Sequence, residues 1–115
     1  MEKVAFAPDE LQRLGRALFG NQWQTPLARA LGRSDRTVRR WRSGTRSPSA
    51  ADWRLIQEWF VAHRVVEVLD LINDLAKKTG ETPAEIIFTE PETPLEKIIV
   101  RRVQKELTLQ RRYGD

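Results

Sequence analysis

Three features of the sequence predict an all-α fold: five helices in an N-terminal domain, followed by a C-terminal helical extension. Apolar residues recur at intervals of three and four, as at Leu11, Leu14 and Leu18 and again at Trp53, Ile56, Trp59 and Phe60. Residues suited to helix starts precede those stripes, among them Pro8-Asp9, Ser34-Asp35 and Ser49. Glycines close them at Gly20, Gly32, Gly44 and Gly80. Only the β-branched runs at 86–89 and 98–100 compete for strand.

The first helix starts near Pro8, because proline suits the first turn and Asp9 and Glu10 complement the positive helix end. Phe19-Gly20-Asn21 stops it, and Trp23 reads as an apolar staple before the next start. A short second helix opens at Gln24 or Thr25 and ends at Gly32. The third is capped by Ser34, with Val38 and Trp41 as its apolar stripe and Arg36, Arg39 and Arg40 off it. Ser49, with Asp52 three residues on, has the form of a capping box. One helix over 50–79 would be about 45 Å long, so a bend or break is expected near Ala62-His63-Arg64. Thr82-Pro83-Ala84-Glu85 and Thr93-Pro94-Leu95-Glu96 repeat one starting signal. The first opens a short turn through Ile86, Ile87 and Phe88, the second a helix, and the tail from Arg111 is expected to fray. The expected domains are residues 1–64 and 65–115.

Composition removes most chemistry. The 115 residues contain no cysteine and one histidine, His63. Thiolate nucleophiles, disulfides and zinc fingers are excluded, and neither a metal site nor any other cofactor is expected. No nucleophile–base set is recognisable, so an enzyme is not expected. No apolar run approaches the ~20 residues of a membrane span, and MEKVAFAPDE does not read as a signal peptide. A cytoplasmic, nucleoid-associated protein of a prokaryotic cell is expected.

Charge is divided unevenly. Residues 1–48 carry ten basic side chains against four acidic, a net of +6, and residues 49–115 carry ten against twelve, a net of −2. Within 24–48 every cation is arginine, opposed only by Asp35. Guanidinium forks suit phosphate and guanine, so the pattern is that of a polyanion-binding head on a more acidic body.

The functional constellation lies at Ala28-Arg29-Ala30-Leu31-Gly32-Arg33-Ser34, where two short helices meet at the spacing of a helix-turn-helix. Ala28 is small where the helices cross, and Gly32 can take the left-handed conformation of the turn. The stretch QTPLARALGRSDRTVRRWRSG (residues 24–44) resembles the Cro/repressor (XRE) helix-turn-helix family. The match lies in the Leu27-Ala28 pair, Gly32, Ser34, Thr37-Val38, Trp41 and Gly44. A looser likeness spans 7–79, and residues 80–115 resemble no family.

The resemblance implies that Ser34, Asp35, Arg36 and Arg40 reach base edges or flanking phosphates. It also implies that Gln24 lies at the phosphate backbone or supports the recognition helix, and that Ser43, Thr45 and Arg46 contact phosphates. Thr25 joins this phosphate-facing set. Arg33 stands where the family often has an apolar turn residue, as an extra phosphate contact or the sign of a slightly opened turn. Pro26 can shift the start of the second helix. The residue chemistry agrees: Arg36 or Arg40 can pair with guanine bidentately, and Arg39 and Arg42, on either side of Trp41, suit phosphates. Asp35 can accept from a cytosine amino group, although complementing the helix dipole is the favoured reading. Helical spacing assigns Trp41, Trp53 and Trp59 to the core rather than to base stacking.

One such domain covers a half-site, so a homodimer on an inverted-repeat double-stranded DNA operator is expected. Val65, Leu69, Ile72 and Leu75, with Leu95, Ile98, Ile99, Val103 and Leu107, are expected to pack together and across the two-fold axis. The alternative is that residues 80–115 fold back to complete a monomeric core. The expected function is that of a small bacterial or phage transcriptional regulator, a repressor of its own or a neighbouring operon, controlled by concentration or a partner protein. Antitoxins, phage lysis–lysogeny regulators and anti-CRISPR-associated regulators share this form. A second reading is the DNA-recognition subunit of a larger machine, such as a small terminase subunit or a recombinase accessory. RNA binding is a third, disfavoured by the absence of an aromatic platform.

Overall fold

The computed structural model describes residues 5–80 and 93–113, with side chains as far as Leu109. Five helices make up 81% of it, and no strand occurs among the described residues. They are α1 (Pro8–Phe19), α2 (Gln24–Leu31), α3 (Asp35–Ser43), α4 (Ala50–Thr79) and α5 (Pro94–Tyr113). The β-branched run at 98–100 is helical, whereas the runs and cap signal at 82–89 lie outside the described residues.

The chain divides within α4, between Phe60 and Val61, into two compact units. In the unit of residues 3–60, α1, α2 and α3 pack on one another. Leu11, Leu14, Leu27, Ala28, Val38 and Ile56 are wholly buried, and Trp23, Trp41, Trp53 and Phe60 nearly so. The indole of Trp23 lies directly against the backbone of α1. A Cβ at Gly15 would come within 2.6 Å of the indole Cδ2, so only glycine fits there. Phe6 meets Trp53 edge to face at 5.2 Å between ring centres, and the Arg13 guanidinium lies 5.3 Å from the centre of the Phe60 ring.

The turn between α2 and α3 is a Schellman motif. Gly32, at φ 69°, donates its N–H to the Arg29 carbonyl, and Arg33 N–H reaches back to Ala28 O at 2.8 Å. Its next residue ties it to α4: the Arg33 guanidinium pairs with the Asp52 carboxylate at 3.0 Å, which raises the Arg33 pKa through the hydrogen bond and then the charge. The Asp52 backbone N–H donates to Ser49 Oγ at 3.1 Å, as the cap signal predicts. The Asp52 carboxylate is turned to Arg33.

α4 differs from expectation. It runs from Ala50 to Thr79 without the break expected at Ala62-His63-Arg64, so residues 7–79 hold four helices rather than five. No proline or glycine interrupts that stretch. The i,i+3 and i,i+4 pairs Arg64–Glu67, His63–Glu67 and Lys78–Asp74 support it on its surface. Length alone suggested a break, and a helix shared by two compact units can be long.

In the second unit α5 begins with a complete capping box. Glu96 N–H donates to Thr93 Oγ1 at 3.1 Å, and Thr93 N–H donates to Glu96 Oε2 at 3.3 Å. The helix continues through Arg111 and Arg112 to Tyr113, past the point where fraying was expected. Leu95, Ile99, Val103 and Leu107 recur every fourth residue, and with Ile98 they are buried at 7% exposure or less. Ile72, on α4, is 3% exposed. Within the single chain these six residues are already buried as core. An apolar row of this length is covered most directly by the chain that carries it. Of the other three expected seam residues, Val65 and Leu69 are half-buried and Leu75 is 39% exposed.

Candidate nucleic-acid interface

The sequence builds α3 as a helix buried on one side and cationic on the other. Ser34 caps it: its Oγ accepts Thr37 N–H at 3.2 Å and shares a 2.9 Å hydrogen bond with Thr37 Oγ1. Val38 and Trp41 fix the inner side. At 100° per residue, Arg36, Arg39, Arg40 and Ser43 fall on the opposite side. Arg36, Arg39 and Ser43 are exposed, and Arg40 is half-buried. None of Arg36, Arg39, Arg40 or Arg42 forms an ion pair with a described carboxylate.

The end of α3 is ordered by its own hydroxyls. Ser43 Oγ donates to Arg40 O at 3.0 Å and bonds Thr45 Oγ1 at 2.9 Å, while Arg46 N–H reaches Arg40 O at 3.2 Å. Gly44, at φ 79°, makes the reversal that lets this loop form. Ser43, Thr45 and Arg46 thus stand together at one end of α3, exposed to solvent.

At the other end, Thr25 Oγ1 donates to Asp35 Oδ2 at 3.0 Å, joining the first turns of α2 and α3. Neither residue is fully exposed. Asp35 therefore both complements the start of α3 and anchors it to α2, a link that spacing alone did not reveal.

Gln24 and Thr25 line a cleft of about 430 Å³ with Trp23, Pro26, Asn21, Gln22, Arg42 and Arg16. α2 starts at Gln24, with Pro26 accommodated in its first turn. Arg16, on the last turn of α1, was not among the sequence-derived candidates. Its signal was present as an exposed arginine just before the Gly20-Asn21 turn that leads to α2. The cleft brings Arg16 and Arg42 to one polar recess beside the start of α2, a cationic setting suited to an anion.

Arg33 is the candidate that the structure commits elsewhere. It is exposed, yet its guanidinium is held by Asp52 through Nε and Nη2, so it acts first as a tie between the turn and α4. His63 pairs with Glu67 on the surface of α4. Among the described residues no cluster of three metal-ligating side chains occurs, and no helix is long and apolar enough to cross a membrane. Compared with known proteins, the chain matches no family model, no curated protein and no solved structure.

Proposed function

We propose that the unit of residues 3–60 is a helix-turn-helix domain of the Cro/repressor type that binds duplex DNA with α3 in the major groove. The observation that carries this reading is the outer side of α3. It presents Arg36, Arg39 and Arg40, free of described carboxylate partners, on a short helix whose inner side is locked by Val38 and Trp41. Arg36 and Arg40 reach base edges, with Ser34 and Asp35 at the helix start beside them. Arg39, Arg42 and the Ser43-Thr45-Arg46 loop take phosphates on one side. Gln24 and Thr25 at the start of α2 take them on the other.

In this reading the protein is a transcriptional regulator that acts as a dimer on an inverted repeat. The copies are held by apolar surface that remains outside the core, including Leu71 and Leu75 on α4, which are 57% and 39% exposed. Gel shift on the DNA upstream of the protein's own gene, with mass by light scattering on the same sample, tests the proposal. A dimer that shifts one fragment at nanomolar concentration supports it. A ring-sized oligomer would favour a subunit of a larger machine, and binding without sequence preference would remove the regulator reading.

A further inference from the structure

The acidic balance of the C-terminal half conceals a basic helix. Between Pro94 and Tyr113, six side chains are basic and two acidic. Lys97, Arg101 and Lys105 follow one another at i,i+4, so they stand one turn apart, about 6 Å per step and about 12 Å in all. All three are exposed, as are the neighbouring Gln104 and Thr108, and their side lies opposite the buried row Leu95, Ile99, Val103 and Leu107. The helix's two carboxylates are elsewhere. Glu96 is folded into the capping box, and Glu106 is turned 100° from Lys105.

On the second half of α4, by contrast, Arg64 and Lys78 each have a carboxylate partner at helical spacing, Glu67 and Asp74, and only Lys77 has none among the described residues. On α5 the residue one turn from a cation is another cation, twice over, and none of the three pairs with a described carboxylate. Like charges at i,i+4 cost a helix a few tenths of a kcal/mol per pair. A row that carries this cost without local relief is complementary to a partner with regularly spaced negative charge.

The geometry points to the sugar–phosphate backbone of duplex DNA as the occupant of this face, a sequence-independent contact separate from α3. The polyanion class rests on α5 alone. The choice of DNA rests on the function proposed above. A lipid surface fits less well, because a membrane-seated amphipathic helix needs its apolar side free, and here that side is core.

The test uses the full chain and a mixed-sequence duplex of about three helical turns, about 30 base pairs. Binding is followed by fluorescence anisotropy between about 50 and 200 mM salt. Lys97→Gln/Arg101→Gln/Lys105→Gln should lower the slope of log affinity against log salt by about 2.7, since each phosphate no longer neutralised removes about 0.9. Lys97→Arg/Lys105→Arg should keep the original slope. Circular dichroism confirms that the helices persist. An unchanged slope in the triple variant overturns the proposal, and so does an equal drop in the charge-preserving variant. So would loss of binding to phosphatidylserine vesicles with DNA binding intact. Arg42→Gln/Arg46→Gln separates the two claims. If it lowers the slope and the α5 variant does not, the α3 reading stands without this one. The reverse result leaves the α5 contact and removes the α3 reading.

Discussion

Thr25 and Asp35 are ten residues apart in sequence and 3.0 Å apart in space, hydroxyl to carboxylate. The bond fixes the first turn of α3 against the first turn of α2, the two places where the proposed interface meets DNA. It also leaves the second Asp35 oxygen free to accept a hydrogen bond. Thr25→Val should therefore cost about 0.5–1.5 kcal/mol in stability, the worth of an ordinary hydrogen bond. It should also relax base preference at the edge of the site nearest the start of α3. Thr25→Ser should restore both. Thermal unfolding and competition binding across single-base variants of the site would read the two effects.

Arginines on α3 and its following loop should fall into two kinds. Arg36→Ala and Arg40→Ala should each lose about 1–3 kcal/mol of discrimination at particular base pairs. Arg42→Ala and Arg46→Ala should weaken every sequence alike and lower the salt slope by about one each. Equal losses for all four on every sequence would remove the base-reading assignment.

Arg33 should behave unlike its neighbours. Because Asp52 holds its guanidinium, Arg33→Gln should leave the salt slope close to wild type, whereas Arg42→Gln lowers it. Its pKa is raised in the folded state, so its stabilising contribution is complete below the ordinary arginine range. That contribution is lost only as pH climbs through the raised value in strong alkali. Stability measured from about pH 6 to about pH 9, far below the arginine range, should show no step attributable to Arg33.

Gly15 should resist the substitution most often stabilising inside a helix. Alanine there gains about 1 kcal/mol of helix propensity. It also drives a Cβ into the buried Trp23 indole, and overpacking of this kind costs about 1–3 kcal/mol. A lowered midpoint in urea unfolding is expected. A raised midpoint would mean that Trp23 can move.

The helix starts, and the stops made by glycine, are legible in the sequence because each depends on local chemistry, whereas the break expected at Ala62-His63-Arg64 had no glycine or proline behind it and is absent. Ser34, Ser49 and Thr93 cap as their side chains dictate, and Gly32 and Gly44 reverse the chain. The inner stripe of α3 is equally readable, since Val38 and Trp41 are three apart and both are buried. Long-range choices are not. No local signal says that Asp52 turns to Arg33 rather than to its own helix start, or that Thr25 reaches Asp35. Nor can periodicity separate a core row from an interface row. Leu95, Ile99, Val103 and Leu107 read the same in either role, and only the folded chain shows them covered.

Selection of bound duplexes from a random-sequence pool, with the wild-type chain and Arg36→Ala/Arg40→Ala run in parallel, asks whether α3 reads DNA sequence. The wild type is expected to enrich an inverted repeat, its half-sites one helical turn or a multiple apart, about 34 Å. The variant should keep binding DNA and lose the preference at the base pairs facing those two residues. Enrichment of the same motif by both proteins, or of no motif by either, would contradict a base-reading role for α3.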